Sequence, residues 1–312
     1  MTKGEIVVGL DGSPEAEQAL RWAVREAGLR QTGVRAVLAW AVAGPASDGS
    51  RPPPATSPEH PRWTAQWIVN DVLGRVRGDE PAARIVGRTV FGPAVRMLLA
   101  ESAGADMLVL GAHGTGRTAP MLTGSVSLAC AHGAEVPVVV VRGSAARWEG
   151  GPVVVGVDGS PASLDALDWA VREAELRAAR LRVVHVWTPS PTSTDGPPPG
   201  ADALHRAARG VLDEAVRPYL ARARAGTGVE PVLISSGVSR ALIDEAARAQ
   251  LLVLGARGRG GFDGLLLGST GSQCVFYADS PVVIVRRSDR WARAGRRPGR
   301  GGLGGGDHVC PW

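Results

Sequence analysis

Residues 7–40, VVGLDGSPEAEQALRWAVREAGLRQTGVRAVLAW, align without a gap on residues 154–187, VVGVDGSPASLDALDWAVREAELRAARLRVVHVW. Roughly 20 of those 34 positions are identical. A second stretch repeats too: ADMLVLGAHGTGRTAPMLTGSVS (105–127) matches AQLLVLGARGRGGFDGLLLGSTG (249–271). A period of about 145 residues is too long for a solenoid unit and suits a whole domain. The 312 residues therefore hold two copies of one domain, with expected bounds 1–144 and 150–288 and a tail over 289–312.

Each copy alternates short apolar segments with longer amphipathic ones. In copy one EIVVGL reads as a strand, the stretch from Pro14 to about Gly33 as a helix, and VRAVLAW as a second strand. A Pro/Ser-rich loop spans Gly44 to Pro61, followed by a helix around Trp63–Arg77 and a strand near Arg84–Val90. A helix after Pro93 leads into DMLVLG, then a Gly-rich loop, a helix near Ser125–Gly133 and a last strand, VPVVVVR (136–142). Copy two repeats the plan, with strands near 152–158, 181–187, 230–235, 250–255 and 281–286. Strands that are apolar throughout and alternate with helices predict a parallel sheet covered on both faces. Right-handed crossovers then make each copy a doubly wound α/β domain with five parallel strands. Aromatic residues make up only 4% of the chain, so Val, Leu and Ala must fill both cores.

Several function classes fall away on composition. No run approaches the ~18 apolar residues of a membrane span, and MTKGEIVVGLDG has no signal-peptide core, so a soluble cytoplasmic protein is expected. Cys130, Cys274 and Cys310 form no CxxC pair and no metal spacing; the first two sit at matching places in apolar helical runs and read as small core residues. Lys3 is the only lysine, and it precedes the first strand. A Walker A loop, a protein kinase and a pyridoxal-phosphate enzyme each need a lysine elsewhere. The net charge of +5 is carried by the tail, where seven Arg stand against two Asp from Arg286 onward, so the body is near neutral. The basic pI therefore gives no argument for nucleic-acid binding by the folded part. The Pro-rich stretches SRPPPATSP and TPSPTSTDGPPPG are expected to be extended, and the Arg/Gly-rich tail to be disordered.

Two motifs fall at carboxyl ends of strands, where open parallel sheets bind ligands. Asp-Gly-Ser-Pro follows strand one in each copy, at Asp11–Pro14 and Asp158–Pro161. Ser13 and Ser160 suit helix N-caps with Pro in the first turn. Capping leaves the Asp unexplained, and a carboxylate there can accept hydrogen bonds from a ribose or an adenine. After strand four, Gly111-Ala-His-Gly114 precedes Gly124-Ser125 by nine residues, and Gly255-Ala-Arg-Gly258 precedes Gly268-Ser269 by nine. Glycines admit close backbone approach to an anion, and a helix starting at Gly-Ser offers free N–H groups and a partial positive charge. A flexible strand-to-helix turn would explain one such loop; two at identical spacing and topology point to phosphate.

These motifs, over all of the chain but its tail, resemble the universal stress protein family in its tandem two-domain, ATP-binding form. That family carries an Asp at the end of strand one and G-x2-G-x9-G-[S/T] after strand four. The resemblance implies the adenine nucleotide alpha hydrolase-like fold, with the two domains paired through their last strands, here 136–142 and 281–287. It implies that Asp11 and Asp158 contact the adenosine portion of ATP, with Ala39 and Val186 near the adenine. Gly111, Gly114, Gly124, Ser125 and Val126 would cradle phosphates in copy one, and Gly255, Gly258, Gly268, Ser269 and Thr270 in copy two. Mg2+ is compatible with bound ATP; a further homodimer of the tandem chain is conceivable, with no sequence feature that supports it. Copy two has Arg257 and Arg259 where copy one has His113 and Arg117; guanidinium groups beside phosphate would aid retention, and solvent-facing arginines explain them equally well. Ser127 of copy one has Gly271 as its counterpart, one hydroxyl fewer.

No metal cluster, nucleophile elbow or Cys–His pair is visible, so no catalytic residue is assigned, and slow ATP hydrolysis at most is expected. His113 reads as a loop residue without a chemical role, since Arg257 replaces it. An ATP-binding regulator of the stress or dormancy response is the leading expectation, the stress role resting on the resemblance. An adenylating or phosphotransfer enzyme of the same architecture lacks a visible acceptor site. A nucleic-acid-associated regulator would have to use the basic tail, which has few aromatics.

Overall fold

The structure is a computed structural model that describes residues 4–42, 56–57, 59–114, 125–143, 150–188, 201–220, 228–258 and 267–286. Gly124, Arg117, Arg259, the tail and most of both Pro-rich stretches lie outside the described residues. Copy one contains β1 (Glu5–Leu10), α1 (Pro14–Arg30), β2 (Gly33–Trp40), α2 (Pro61–Asp79), β3 (Ile85–Phe91), α3 (Ala94–Ser102), β4 (Met107–Gly111), α4 (Ser125–Gly133) and β5 (Val138–Val141). Copy two contains β6 (Val153–Gly156), α5 (Pro161–Leu176), β7 (Leu181–Trp187), α6 (Ala201–Leu220), β8 (Val229–Ser235), α7 (Val238–Ala246), β9 (Leu251–Gly255), α8 (Ser269–Tyr277) and β10 (Val282–Val285).

The first helix of each copy shows why this sequence folds as it does. Ser13 caps α1 by accepting a hydrogen bond from Ala16 N at 3.1 Å, and Ser160 caps α5 by accepting from Ser163 N at 3.2 Å. Proline follows each cap, where a missing N–H costs nothing. Ala16, Ala19, Leu20, Ala23 and Ala27 then bury one stripe of α1. The helix ends at Arg30 rather than near Gly33, because Gln31 adopts the left-handed conformation (φ 53°) that terminates helices. Gly33 instead opens β2. Pro61 likewise begins α2 rather than closing a loop, with His60 as its N-cap accepting from Arg62 N.

The ten strands form one continuous sheet in the order β3-β2-β1-β4-β5-β10-β9-β6-β7-β8. Every neighbouring pair is parallel except β5–β10, which run antiparallel with Val139 opposite Val283. The two copies therefore join through their last strands, and the junction removes two apolar edges that would otherwise be open to aggregation. Side chains alternate between two cores. Ile6, Val8, Val139, Val283 and Val155 face α1, α2, α5 and α6; Val7, Val138, Ile284 and Val154 face α3, α4, α7 and α8. Both cores run unbroken from one copy into the other.

On the first face, α1 and α5 bring four charges together at the junction. Glu26 and Glu173 are each 3% exposed, and the side chains of Arg177 and Arg30 are 7% and 17% exposed. Arg30 pairs with Glu26 at 2.7 Å and reaches across to Glu173, while Arg177 pairs with Glu173 and reaches back to Glu26. The two pairs occupy equivalent positions of the repeat, so the ring is the repeat's own symmetry made into a contact. Burial pushes the Glu26 carboxyl up, Arg177 and Arg30 pull it down, and Glu173 beside it pushes it up again. Such a ring adds little net stability over an apolar equivalent, but removing one member strands the others away from water.

Candidate functional site

β1 and β4 lie side by side in copy one, and β6 and β9 in copy two. Their connections leave in opposite directions, β1 toward β2 and β4 toward β5, so a crevice opens between their carboxyl ends. Both sequence motifs lead into it.

The Asp-Gly-Ser-Pro motif builds one wall. Gly12 (φ 84°) and Gly159 (φ 77°) take the left-handed turn that only glycine adopts without strain. The turn is closed by the preceding carboxylate: Ser13 N donates to Asp11 Oδ1 at 2.9 Å, and Ser160 N donates to Asp158 Oδ1 at 2.9 Å. The hydroxyl of Ser13 also donates to Asp11 Oδ1, at 2.6 Å. One carboxylate oxygen thus holds the turn. The other faces the Gly-rich loop: a β-carbon built at Gly258 would stand 2.5 Å from Asp158 Oδ2, and one at Gly114 would meet Asp11 Oδ2 at least as closely.

The described motif glycines at and after the ends of β4 and β9 divide by role. At Gly255 a β-carbon would meet the carbonyl oxygen of Ala162 at 2.6 Å, and at Gly111 it would meet the backbone of Glu15 and Ala16 at 2.8–2.9 Å. The absence of a side chain there lets the strand end seat against the first turn of α5 or α1. Gly114 and Gly258 instead make room beside the carboxylates. Gly268 has open space around it and is the N-cap of α8, with no side chain capping the helix. The first-turn N–H groups at Ser269, Thr270 and Gly271 have no intrahelical acceptor by geometry, which makes this end attractive to an anion. Gly268 N donates to Ala256 O at 3.0 Å, tying the helix start to the loop.

In copy two these walls enclose a cavity of about 540 Å³. Val184, Val186 and Leu254 from the strands and Val238 and Leu242 from α7 make it apolar on one side. Asp158 and Ser163 lie on its strand-one wall, and Arg257, Gly258, Ser269 and Thr270 on the other. An apolar cavity of this size with a few convergent polar groups has the form of a small-molecule site. Sequence reading missed Val238, Leu242 and Leu254; the spacing of Val238 and Leu242, one turn apart directly after Gly237, was the available signal. In copy one Ala39 holds the position of Val186, at the carboxyl end of β2 and paired with Val90. Ser125 opens α4 and Val126 follows it half-buried. The Ser127 hydroxyl donates to Gly111 O at 2.6 Å and is buried, so it pins the helix to the strand end rather than facing a ligand.

A larger cavity of about 890 Å³ opens at the opposite end of the sheet, under the amino ends of β6, β7 and β8. Its floor is salt-bridged: Arg182 pairs with Glu230 and, at 3.0 Å, with Glu245, and Arg177 belongs to the buried ring. Among the described residues no glycine loop stands opposite a helix start there, and the cavity lies away from the switch point, so its size does not make it the better candidate.

Fold and crevices define a duplicated doubly wound α/β protein with a crevice at the switch point of each copy. The universal stress protein family matches the chain twice, over residues 4–142 and 151–286. A universal stress protein of Mycolicibacterium smegmatis is 36% identical over 301 residues, covering 91% of this chain and 98% of that relative. Universal stress protein Rv2623 of Mycobacterium tuberculosis is 33% identical over 296 residues, covering 91% and 96%. Among solved structures, a universal stress protein from Archaeoglobus fulgidus superposes with a TM-score of 0.64 at 19% identity over 92% of this chain and 98% of its own, a likeness of fold. The chain belongs to the universal stress protein family.

Proposed function

We propose that each copy binds an adenine nucleotide, ATP, in its switch-point crevice, and that occupancy sets the conformation or partners of a stress-response regulator. The observation that carries this reading is the copy-two cavity, where an acidic wall at Asp158 and an uncapped helix start at Gly268 stand on either side of an apolar pocket. The apolar side suits a purine held near Val186. Asp158, whose Oδ1 holds the turn, suits ribose hydroxyls as a hydrogen-bond acceptor. The N–H groups of α8, the Ser269 and Thr270 hydroxyls and the Arg257 guanidinium suit phosphates. In copy one Asp11, Ala39, Gly111, Gly114, Gly124, Ser125 and Val126 take the corresponding roles.

Mg2+ fits as a companion of the phosphates. Among the described residues no group of three His, Cys, Asp or Glu side chains could hold a metal, and Mg2+ keeps much of its water shell and binds through phosphates. Binding rather than turnover is the proposed activity. The test is calorimetric titration of ATP into the wild type, Asp11→Ala, Asp158→Ala and the double variant. Two sites in the wild type, one lost with each single change, support the reading; a wild type that binds no ATP overturns it.

A further inference from the structure

The two crevices share one backbone and differ in charge. Gly111 presses against the backbone of Glu15 in copy one, and Gly255 against that of Ala162 in copy two, so a carboxylate stands in one copy where the other has a methyl group. In the loop, His113 of copy one corresponds to Arg257 of copy two. Each last strand ends in an arginine beside its loop, because Ala112 N donates to Val141 O and Ala256 N to Val285 O. Arg142, following Val141, is faced by the carboxylates of Asp279 and Glu15; Arg286, following Val285, is faced by the guanidinium of Arg257. Gly268 N on Ala256 O brings the start of α8 to the same place, and Arg257, Ser269 and Thr270 line one cavity.

We infer that the copies are inequivalent nucleotide sites: copy two selects the triphosphate over the monophosphate through Arg257, and copy one, with Glu15 and His113, discriminates little by phosphate number. This rests on the proposed binding of adenine nucleotide in both crevices. The phosphate side of copy two sets the Arg257 side chain beside the start of α8. In copy one His113 stands at the position of Arg257, and the Glu15 carboxylate, whose charge acts on Arg142, repels added negative charge. A nucleoside triphosphate brings about two more charges than a monophosphate, so the difference in local charge acts on the phosphate tail and leaves the base and ribose contacts alone. A charge-assisted bond of ~1.5–3 kcal/mol corresponds to a discrimination of about 10- to 100-fold.

The test is magnesium-free calorimetric titration of the full chain with ATP and, separately, AMP at fixed ionic strength. The wild type is expected to show two classes of ATP site and AMP affinities within about threefold of each other. Ala162→Glu with Arg257→His is expected to weaken the tighter ATP class about 10- to 100-fold with AMP binding nearly unchanged. Glu15→Ala with His113→Arg is expected to tighten the weaker class. Arg257→Lys, at an exposed position, keeps the charge and should retain most of the preference; thermal melts confirm that each variant is folded. A single class of ATP site in the wild type, or ATP-to-AMP ratios unmoved by both exchanges while two nucleotides still bind, overturns the inequivalence and leaves nucleotide binding standing. Failure of the wild type to bind either nucleotide overturns the binding reading and this inference with it.

Discussion

Gly258 lies so close to Asp158 that a β-carbon on the glycine would stand 2.5 Å from the carboxylate oxygen Oδ2. Asp11 and Gly114 repeat the relationship in copy one. The carboxylate is held between its own turn and the glycine loop, so the two sequence motifs form a single wall. Gly258→Ala would displace the side chain and weaken the Ser160 N–Asp158 bond. We expect a loss of about tenfold in ATP affinity at copy two, the equivalent of one hydrogen bond of ~1–1.5 kcal/mol, with little change in melting temperature. Unaltered affinity in a folded variant would separate Asp158 from the ligand.

Gly255→Ala should behave differently. Its β-carbon meets backbone of α5, not the end of a side chain, so the strand end and helix must move apart. A cost of ~1–3 kcal/mol in urea unfolding is expected, as for other forced overpacking. Gly210→Ala, in the exposed middle of α6 with open space around it, should instead stabilise by ~0.5–1 kcal/mol. Equal effects at both positions would contradict the packing role of Gly255.

The charge ring at the junction gives a third expectation. Arg177→Met leaves Glu26 and Glu173 buried with one partner between them and should cost ~3–5 kcal/mol. Replacing all four members by apolar residues of similar volume should recover most of that loss. Unfolding that is insensitive to Arg177→Met would show the ring to be solvated.

Burial holds the thiols of Cys130 and Cys274 up at about 12. Neither should react with a disulfide reagent at pH 8 in the native protein, and both should react on unfolding. Rapid native labelling of either would contradict their place in the core.

His132 supplies a pH dependence. Desolvation, then the nearby Arg286, lowers its folded-state pKa below the ordinary value of 6.5. Above 6.5 the ring is neutral in both states and contributes no slope. As pH falls from 6.5 toward the lowered value, the unfolded chain binds a proton that the folded protein does not, so stability falls over that window and levels out below it. Denaturation midpoints between pH 7.5 and 5 should therefore decline more steeply in the wild type than in His132→Gln; parallel profiles would contradict the shift.

The sheet was legible because a gapless repeat doubled every signal: apolar strands, Ser-Pro helix starts and Gly-rich loops each occurred twice at one spacing. Element ends were less so. A proline at position 61 reads as loop until His60 is seen to cap a helix, and Gln31 ends α1 where the sequence shows Gly33 as the natural stop. At the site, the glycine pattern could not divide its members, since a glycine needed for helix contact and one needed beside a carboxylate look alike in sequence. The charge ring was hidden for a related reason. Glu26 and Arg30 look like a solvated helical pair until the antiparallel β5–β10 junction brings their counterparts against them.

A crystal structure of the full chain grown with ATP tests nucleotide binding at the switch points most directly. Density is expected with the base beside Val186, the ribose at Asp158 and the phosphates at Arg257 and the start of α8. An empty crevice at saturating nucleotide, or ATP in the arginine-lined cavity at the opposite end of the sheet, would contradict it.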